Sequence, residues 1–310
     1  MRIPSDDRRG TSADYLQRIN RALDHVLQHL DGPLPLADVA AIACFSPHHF
    51  HRVFRALVGE TLLQFVKRCR LERALTLMSR PSPPPLIEVA MACGFASPSD
   101  FSRAFKQRYG TAPSAFDLEA FRRDRREEWQ NAVADPGHRH LLDRLPPGAN
   151  PDGFVADVRL LPRRRVAYIR VLNSFQAGLV PAAIGRLVAW AEARGIADGQ
   201  WLGYMWDDPE LVAPEQCRYD VGLVVEDDVM VGGEVGALTF PAMTVAHVEV
   251  RGPIDVEVRA IEWLYRTWLP SSGYVPAEHP AFESWIGRPL AHGMTHFEID
   301  AQLPIEPARG

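Results

Sequence analysis

Two arginines, Arg52 and Arg103, stand at matching places in two short segments, each among other side chains that donate hydrogen bonds. A guanidinium presents a fork of donors that fits guanine O6 and N7, and one good bidentate pair discriminates between bases by about 1 to 3 kcal/mol. Around Arg52 stand His48, His51 and Arg55; around Arg103 stand Ser99, Ser102 and Lys106. His48 and His51 can donate to base acceptors or phosphates, whereas Arg55 and Lys106 suit phosphates, which hold register without reading sequence. A second chemistry lies far downstream, where Glu283 sits in Pro280-Ala281-Phe282-Glu283-Ser284-Trp285. A carboxylate walled by rings can pair with a ligand cation, each ring adding about 0.5 to 2 kcal/mol of cation–π attraction. Trp201, Tyr204, Trp206 and Trp285 fall in short segments bracketed by Gly and Pro, and read as loop-edge aromatics lining a cleft. A surface glutamate on a strand is the competing reading of Glu283.

The elements that must position the arginines repeat. Leu36, Val39, Ala40 and Ala43 fall at i, i+3, i+4 and i+7, followed by Phe45, Ser46-Pro47 and a second face of Phe50, Val53, Phe54 and Leu57. Leu86, Val89, Ala90 and Cys93, then Phe95, Ser97-Pro98, Phe101, Ala104 and Phe105, restate the pattern. A helix-period stripe, a short turn and a Ser cap with Pro at the first helical position describe two helix-turn-helix units. In each unit the apolar stripe turns inward, so the donor-bearing side faces out, and paired units of this kind imply reading of successive major grooves. Exposed residues of a plain helical bundle are the alternative for any single position. Asp100 lies three residues after Ser97, the spacing of a capping box, and reads as structural. From Leu62 to Met78 there is neither Gly nor Pro; a helix of that length spans about 25 Å and could hold the two units at fixed separation. The arginine-rich segment from Arg122 to Glu128 reads as a solvated helix face.

With 310 residues, two domains are expected, each able to bury a core. Residues 12–130 form the first, a Pro- and Gly-rich stretch over 131–153 the linker, and 154–310 the second. Residues 1–130 hold 19 Lys/Arg against 15 Asp/Glu, and 131–310 hold 15 against 24. The front half therefore suits a polyanion and the back half a cationic partner. The polar start of the chain and the lack of a long apolar window fit a cytoplasmic protein. Cys44, Cys69, Cys93 and Cys217 show no C-x-x-C spacing and read as small buried hydrophobes. His138 and His140 lie in the linker and read as solvated loop rather than metal ligands. No metal-spaced cluster, G-x-S-x-G elbow, phosphate loop or dinucleotide fingerprint occurs, so neither cofactor nor metal nor conventional catalysis is expected.

The back domain is duplicated with a lag of about eighty: Val166 to Val171 matches Val245 to Val250, and Tyr219 to Glu226 parallels Ile299 to Glu306. Each half reads as β-α-β-β. Under that duplication Glu283 corresponds to Gly203, so the carboxylate breaks the repeat. The fold class is multi-domain: an N-terminal all-α double helix-turn-helix domain, then a C-terminal α+β domain of two duplicated β-α-β-β halves.

Residues 15 to 121 resemble the DNA-binding domain of the AraC/XylS family of transcription regulators. The resemblance rests on Ala40, Phe45, Phe50-His51-Arg52-Val53-Phe54, Gly59, Arg70-Leu71-Glu72-Arg73-Ala74, Gly94-Phe95, Phe101-Ser102-Arg103-Ala104-Phe105 and Tyr109-Gly110-Thr111-Ala112-Pro113. It implies base-facing roles for His48, His51 and Arg52 and for Ser99, Ser102 and Arg103. Cys44 stands where a glycine is common, and Ser99 and Ser102 replace longer amides. Residues 155 to 306 resemble the GyrI-like effector-binding domain through Phe240 to Met243, Val245 to Val250, Gly252-Pro253, Trp268 to Tyr274, Pro280 to Trp285 and Phe297 to Ile305. That resemblance implies a small-molecule cleft with Glu283 as its ligand-facing carboxylate. Trp285 replaces the usual tyrosine, and Asn173-Ser174-Phe175 a Gly-Pro-Tyr-like turn. The implied protein is a transcription regulator that binds double-stranded operator DNA and senses a small, cationic or aromatic molecule, with RNA polymerase a further partner. A small-molecule hydrolase with Glu283 as general base and a drug-sequestering protein remain the alternatives.

Overall fold

The computed structural model describes residues 5–80, 82–133, 145–146, 148–277, 279–291, 293 and 296–308. Residues 134–144 of the expected linker, with His138 and His140, lie outside the described residues. The chain forms two compact units with the boundary between Arg125 and Arg126, the second running onward from Arg126 apart from residues 232–236. Among the described residues no helix is long and apolar enough to cross a membrane.

The first unit is helical: α1 (Ser5–Gln28), α2 (Leu36–Ile42), α3 (Pro47–Val58), α4 (Leu62–Met78), α5 (Leu86–Ala92), α6 (Pro98–Tyr109) and the start of α7 (Leu118–Val133). Helices α3 and α6 begin and end alike. Ser46 Oγ accepts from the His49 N–H at 3.4 Å and Ser97 Oγ from the Asp100 N–H at 3.1 Å, each ahead of a first-turn proline. Gly59 and Gly110, both left-handed, close the C-termini. The central α4 starts with a full Thr61–Gln64 capping box and packs against α3, α5 and α6. It is buried on so many sides that even Arg68 and Glu72 lie inside, paired at 3.0 Å, with Glu60 2.6 Å from the same guanidinium.

The two helix-to-helix turns share one backbone path. Phe45 N–H donates to the Ala40 carbonyl at 3.0 Å and Phe95 N–H to that of Ala90 at 3.1 Å. The residue before each phenylalanine is left-handed, Cys44 with φ 54° and Gly94 with φ 76°. Replacing glycine by Cys44 thus leaves the turn intact and stores strain in it, because a Cβ disfavours this region by roughly 1 to 2 kcal/mol. The turn also leaves Cys44 exposed, in contrast to buried Cys69, Cys93 and Cys217. Gly94 is required for a second reason: a Cβ there would overlap the Leu30 carbonyl, which also accepts from Arg70 Nε at 2.8 Å.

Among the described residues the second unit contains nine strands: β1 (Asp157–Leu161), β2 (Arg164–Leu172), β3 (Trp201–Met205), β4 (Arg218–Val225), β5 (Gly236–Phe240), β6 (Met243–Gly252), β7 (Tyr274–Pro276), β8 (Phe282–Trp285) and β9 (Phe297–Pro307). Helix α8 (Leu179–Glu192) packs on β2 and β4, and α9 (Ile254–Trp263) on β6 and β9. After α9 the chain makes a π turn over Leu264–Trp268 and a last short helix, α10 (Leu269–Ser272). The strand order is β1-β6-β9-β8-β3-β4-β2-β5, with β7 on β9. The two β-α-β-β halves therefore lie side by side and join through antiparallel β3 and β8, in the register Gly203 to Glu283.

The edge strands are exchanged between the halves, and this fixes the curvature. In a flat sheet β1 and β2 would be six strand spacings apart, about 29 Å. Only Pro162 and Arg163 connect them, and such a link reaches about 11 Å. The same holds for β5 and β6, joined by Pro241 and Ala242. The sheet must curl until its ends approach. Val166, Leu202, Tyr204, Phe240, Met243, Val245 and Phe282 fill the space so enclosed.

Arg126 departs from the solvated face expected of its segment. Its side chain is half-buried in the second unit, with Nη1 2.6 Å from Glu210 and Nη2 3.4 Å from Glu262, while Trp129, one helical turn on, is buried.

The steric contrast between the two turns is testable. Cys44→Gly should stabilise the first unit by about 0.5 to 1 kcal/mol, the relieved left-handed strain less the extra backbone entropy of glycine. Gly94→Ala should destabilise it by about 1 to 3 kcal/mol through overpacking. Urea unfolding of the full chain followed by far-UV circular dichroism reads both, and changes of the same sign would contradict this account.

Candidate functional site

On α3, His48, His51, Arg52 and Arg55 share the face opposite buried Phe50 and Phe54. On α6, Ser99, Ser102, Arg103 and Lys106 share the face opposite Phe101, Ala104 and Phe105. Both sets follow the spacing i, i+3, i+4, i+7, which places four side chains in one stripe. All eight are exposed except half-buried His51. The two faces differ electrically. Arg103 lies 3.3 Å from Asp100, a pair open to solvent, whereas the α3 stripe carries no acidic residue. So exposed a pair contributes little to stability and can yield to a phosphate or a base.

In the second unit the strand register sorts the aromatic candidates. One row across the sheet on the helix-bearing face reads Val248, Ala301, Glu283, Gly203, Val221 and Ile169. The neighbouring row on the opposite face reads His247, Gln302, Phe282, Tyr204, Asp220 and Arg170. Glu283 is therefore at the centre of the sheet, flanked by apolar and small residues, and only 5% exposed. Trp285, two residues on, shares its face and gives its carboxylate a side-chain hydrogen bond.

Tyr204 and Trp206 are not brought to that place, whereas Trp201, two residues before Gly203 on its strand, shares the face of Glu283. Trp201 and Tyr204 belong to strand β3 rather than a loop edge. Trp201 is wholly buried with its indole N–H on the Ala197 carbonyl at 2.9 Å. Tyr204 points to the opposite face because strand side chains alternate, and it stacks on Phe240 at 4.5 Å. Trp206 follows β3 and donates its N–H to Asp220 at 2.7 Å, where Arg170 also binds at 2.6 Å. Trp201 and Tyr204 are core residues, and half-buried Trp206 packs against the core that Tyr204 enters.

The residues that do surround Glu283 are Tyr219 of β4 and Glu257 of α9. Tyr219 Oη donates to Glu283 Oε1, and the Glu257 and Glu283 carboxyls hydrogen-bond to each other. Gly203 makes room for them: a Cβ there would overlap both the Tyr219 hydroxyl and the Glu283 carboxylate. Burial pushes the Glu257 carboxyl well above the usual range, and Glu283 beside it pushes further the same way. Burial also raises Glu283, against the hydrogen bonds from Tyr219, Glu257 and Trp285 that favour its charge. Tyr219 is raised by burial and then by Glu283. Two acidic groups in contact out of water cannot both ionise readily, so the pair holds a proton. Among the described residues no Lys or Arg is hydrogen-bonded or ion-paired to either carboxyl.

A cleft of about 480 Å3 lies elsewhere, along β1 and β6, lined by Asp157, Arg159, His247, Glu249 and Arg251 among others. Its charges satisfy one another, with Arg159 3.4 Å from Asp157 and Arg251 2.5 Å from Glu249.

Matched outward helix stripes in one unit, and a two-fold sheet with a buried carboxyl pair in the other, mark two separate units, each with its own candidate site. The helix-turn-helix domain family matches residues 39–118, and the GyrI-like small molecule binding domain family residues 157–306. A DNA gyrase inhibitor of Serratia proteamaculans is 36% identical over 146 residues, 46% of this chain and 92% of that protein. A probable transcriptional regulator, LumQ of Photobacterium leiognathi, is 34% identical over 105 residues, 33% of this chain and 42% of that protein. Among solved structures, the DNA-binding domain of AdpA in complex with a target DNA is 31% identical, with a TM-score of 0.32, covering 35% of this chain and 96% of that one. The chain belongs to the GyrI-like family and joins to that domain an AraC-type helix-turn-helix region; it is a DNA-binding transcriptional regulator with a small-molecule-binding domain.

The proton-sharing pair has a consequence for stability. Because both carboxyls titrate higher in the folded than in the unfolded chain, the folded state binds more protons, and stability falls as pH rises from the ordinary carboxylate range through the raised values. Glu257→Gln and Glu283→Gln should each melt above the parent protein at pH 8, with the gap closing towards pH 5. A gap that widens on acidification would show the signs reversed.

Proposed function

We propose that the second unit senses an organic cation, preferably one carrying an aromatic ring, held by Glu283 and Glu257 with Tyr219 and Trp285 beside it. The observation that carries this reading is the buried carboxyl pair, without a cationic partner among the described residues. A ligand cation supplies the missing charge and releases the shared proton, so the site is acidic enough to prefer cations yet neutral enough to persist when empty. On the first unit, His48, His51 and Arg52 read bases of one major groove and Arg103, with Ser99 and Ser102, those of the next, while Arg55 and Lys106 hold phosphates. Residues 12–130 thus carry DNA recognition, 154–310 carry sensing, and 131–153 join them. The ligand changes output through unequal affinity for two states of the protein, read as altered operator binding or altered contact with RNA polymerase.

Titration with an aromatic quaternary ammonium compound, followed by tryptophan fluorescence, tests the sensor. Affinity should tighten between about pH 5 and pH 8 as the pair gives up its proton more easily, and Glu283→Gln should abolish that dependence. Equal binding of a neutral isostere would overturn the cation reading. Recovery of the compound unchanged supports sensing, whereas a new product would favour the hydrolase.

Selection of bound DNA from a random pool tests the reading heads. On the selected site Arg52→Ala should lose affinity about 10- to 100-fold and relax one base position, the effect of about 1 to 3 kcal/mol. Lys106→Ala should weaken all sequences alike and flatten the salt dependence. Asp100→Asn, which frees Arg103, should strengthen binding. Full affinity in Arg52→Ala would remove α3 from the interface.

A further inference from the structure

Strand β1 ends the strand order, so among the described residues its outer edge has no strand partner. Edge strands in soluble proteins are ordinarily guarded by charge, proline or bulges. This one alternates instead. Val158 is 44% exposed and Leu160 76%, with Val155 just before the strand equally bare, while Asp157 and Arg159 occupy the other face and pair with each other at 3.4 Å.

The order of side chains is complementary to itself. In an antiparallel pairing of two such edges centred on Val158, Asp157 faces Arg159 of the second copy and Arg159 faces its Asp157, by the two-fold symmetry. Val158 meets Val158, Leu160 meets Ala156, and Val155 meets Leu161. Opposite charges and apolar pairs directly across from one another each favour an antiparallel ladder, and like charges there oppose it. Moving the centre one residue along would set Arg159 against Arg159. The sequence from Val155 to Leu161 thus selects one register for its own partner.

We infer that β1 is a self-association edge, on which a second copy of this chain adds its own β1 to give a two-fold dimer of the second units. An isologous contact of this kind closes on itself. A ribbon of about seven residues is small beside the roughly 1,600 Å² of a standard stable interface, so the dimer is weak and depends on protein concentration.

Sedimentation velocity of the full chain across a concentration series tests the inference. The parent protein should pass from monomer to dimer; Arg159→Asp and Asp157→Arg should each remain monomeric, and the double exchange D157R/R159D should dimerise again. Val158→Lys should also stay monomeric. All three sites are exposed, and circular dichroism checks that the variants fold. A parent protein that stays monomeric throughout, single variants that dimerise as well as it does, or a double exchange that fails to restore the dimer would each overturn the proposal.

Discussion

One missing side chain makes the buried carboxyl pair possible. Gly203 and Glu283 are equivalent positions of a duplicated half, and the antiparallel β3–β8 join sets them directly opposite each other. Were both occupied by side chains, the Tyr219 hydroxyl and the Glu283 carboxylate would have no room. At the join of the two halves, a vacancy on one side therefore accommodates a carboxyl from the other. That carboxyl then stays buried only because Tyr219, Glu257 and Trp285 supply hydrogen bonds and a shared proton.

The two helix-turn-helix units follow another logic, that of true repetition. Caps, turns and outward stripes of α3 and α6 are superimposable in sequence, and α4 between them is buried like a core element rather than a surface connector. The one local conflict is Cys44, which accepts a glycine's conformation without being glycine. The repetition is also incomplete electrically, since only the second stripe carries its own counter-charge in Asp100.

The helical unit was largely legible because its signals are local. Ser-Pro starts, the Gly-free run from Leu62 to Met78 and the two matched stripes all act within a few residues, and α4 begins and ends where that run does. The β-α-β-β duplication was legible as well, including the break at Glu283. Partners across the sheet were not. Trp201 and Tyr204 sit within short segments whose strand character depends on neighbours about twenty and eighty residues away. Glu257 and Tyr219 had a faint signal: Glu257 interrupts the buried side of α9 that Ala260 and Leu264 continue, and Tyr219 heads a strand of inward apolar residues. Nothing local says that the two converge on one carboxylate. Arg126 departs from a solvated face for the same reason, its acidic partners being 84 and 136 residues distant.

The exchanged edges also bear on how the chain is made. Strand β1 is translated first of the nine yet docks on β6, whose first residue leaves the ribosome 82 residues after the last of β1. Until then the opening β-α-β-β half has neither its Gly203 neighbour nor a place for its leading strand. Contacts of such long range form slowly, so this nascent half must wait, its valine and leucine side chains uncovered, for the second half to arrive.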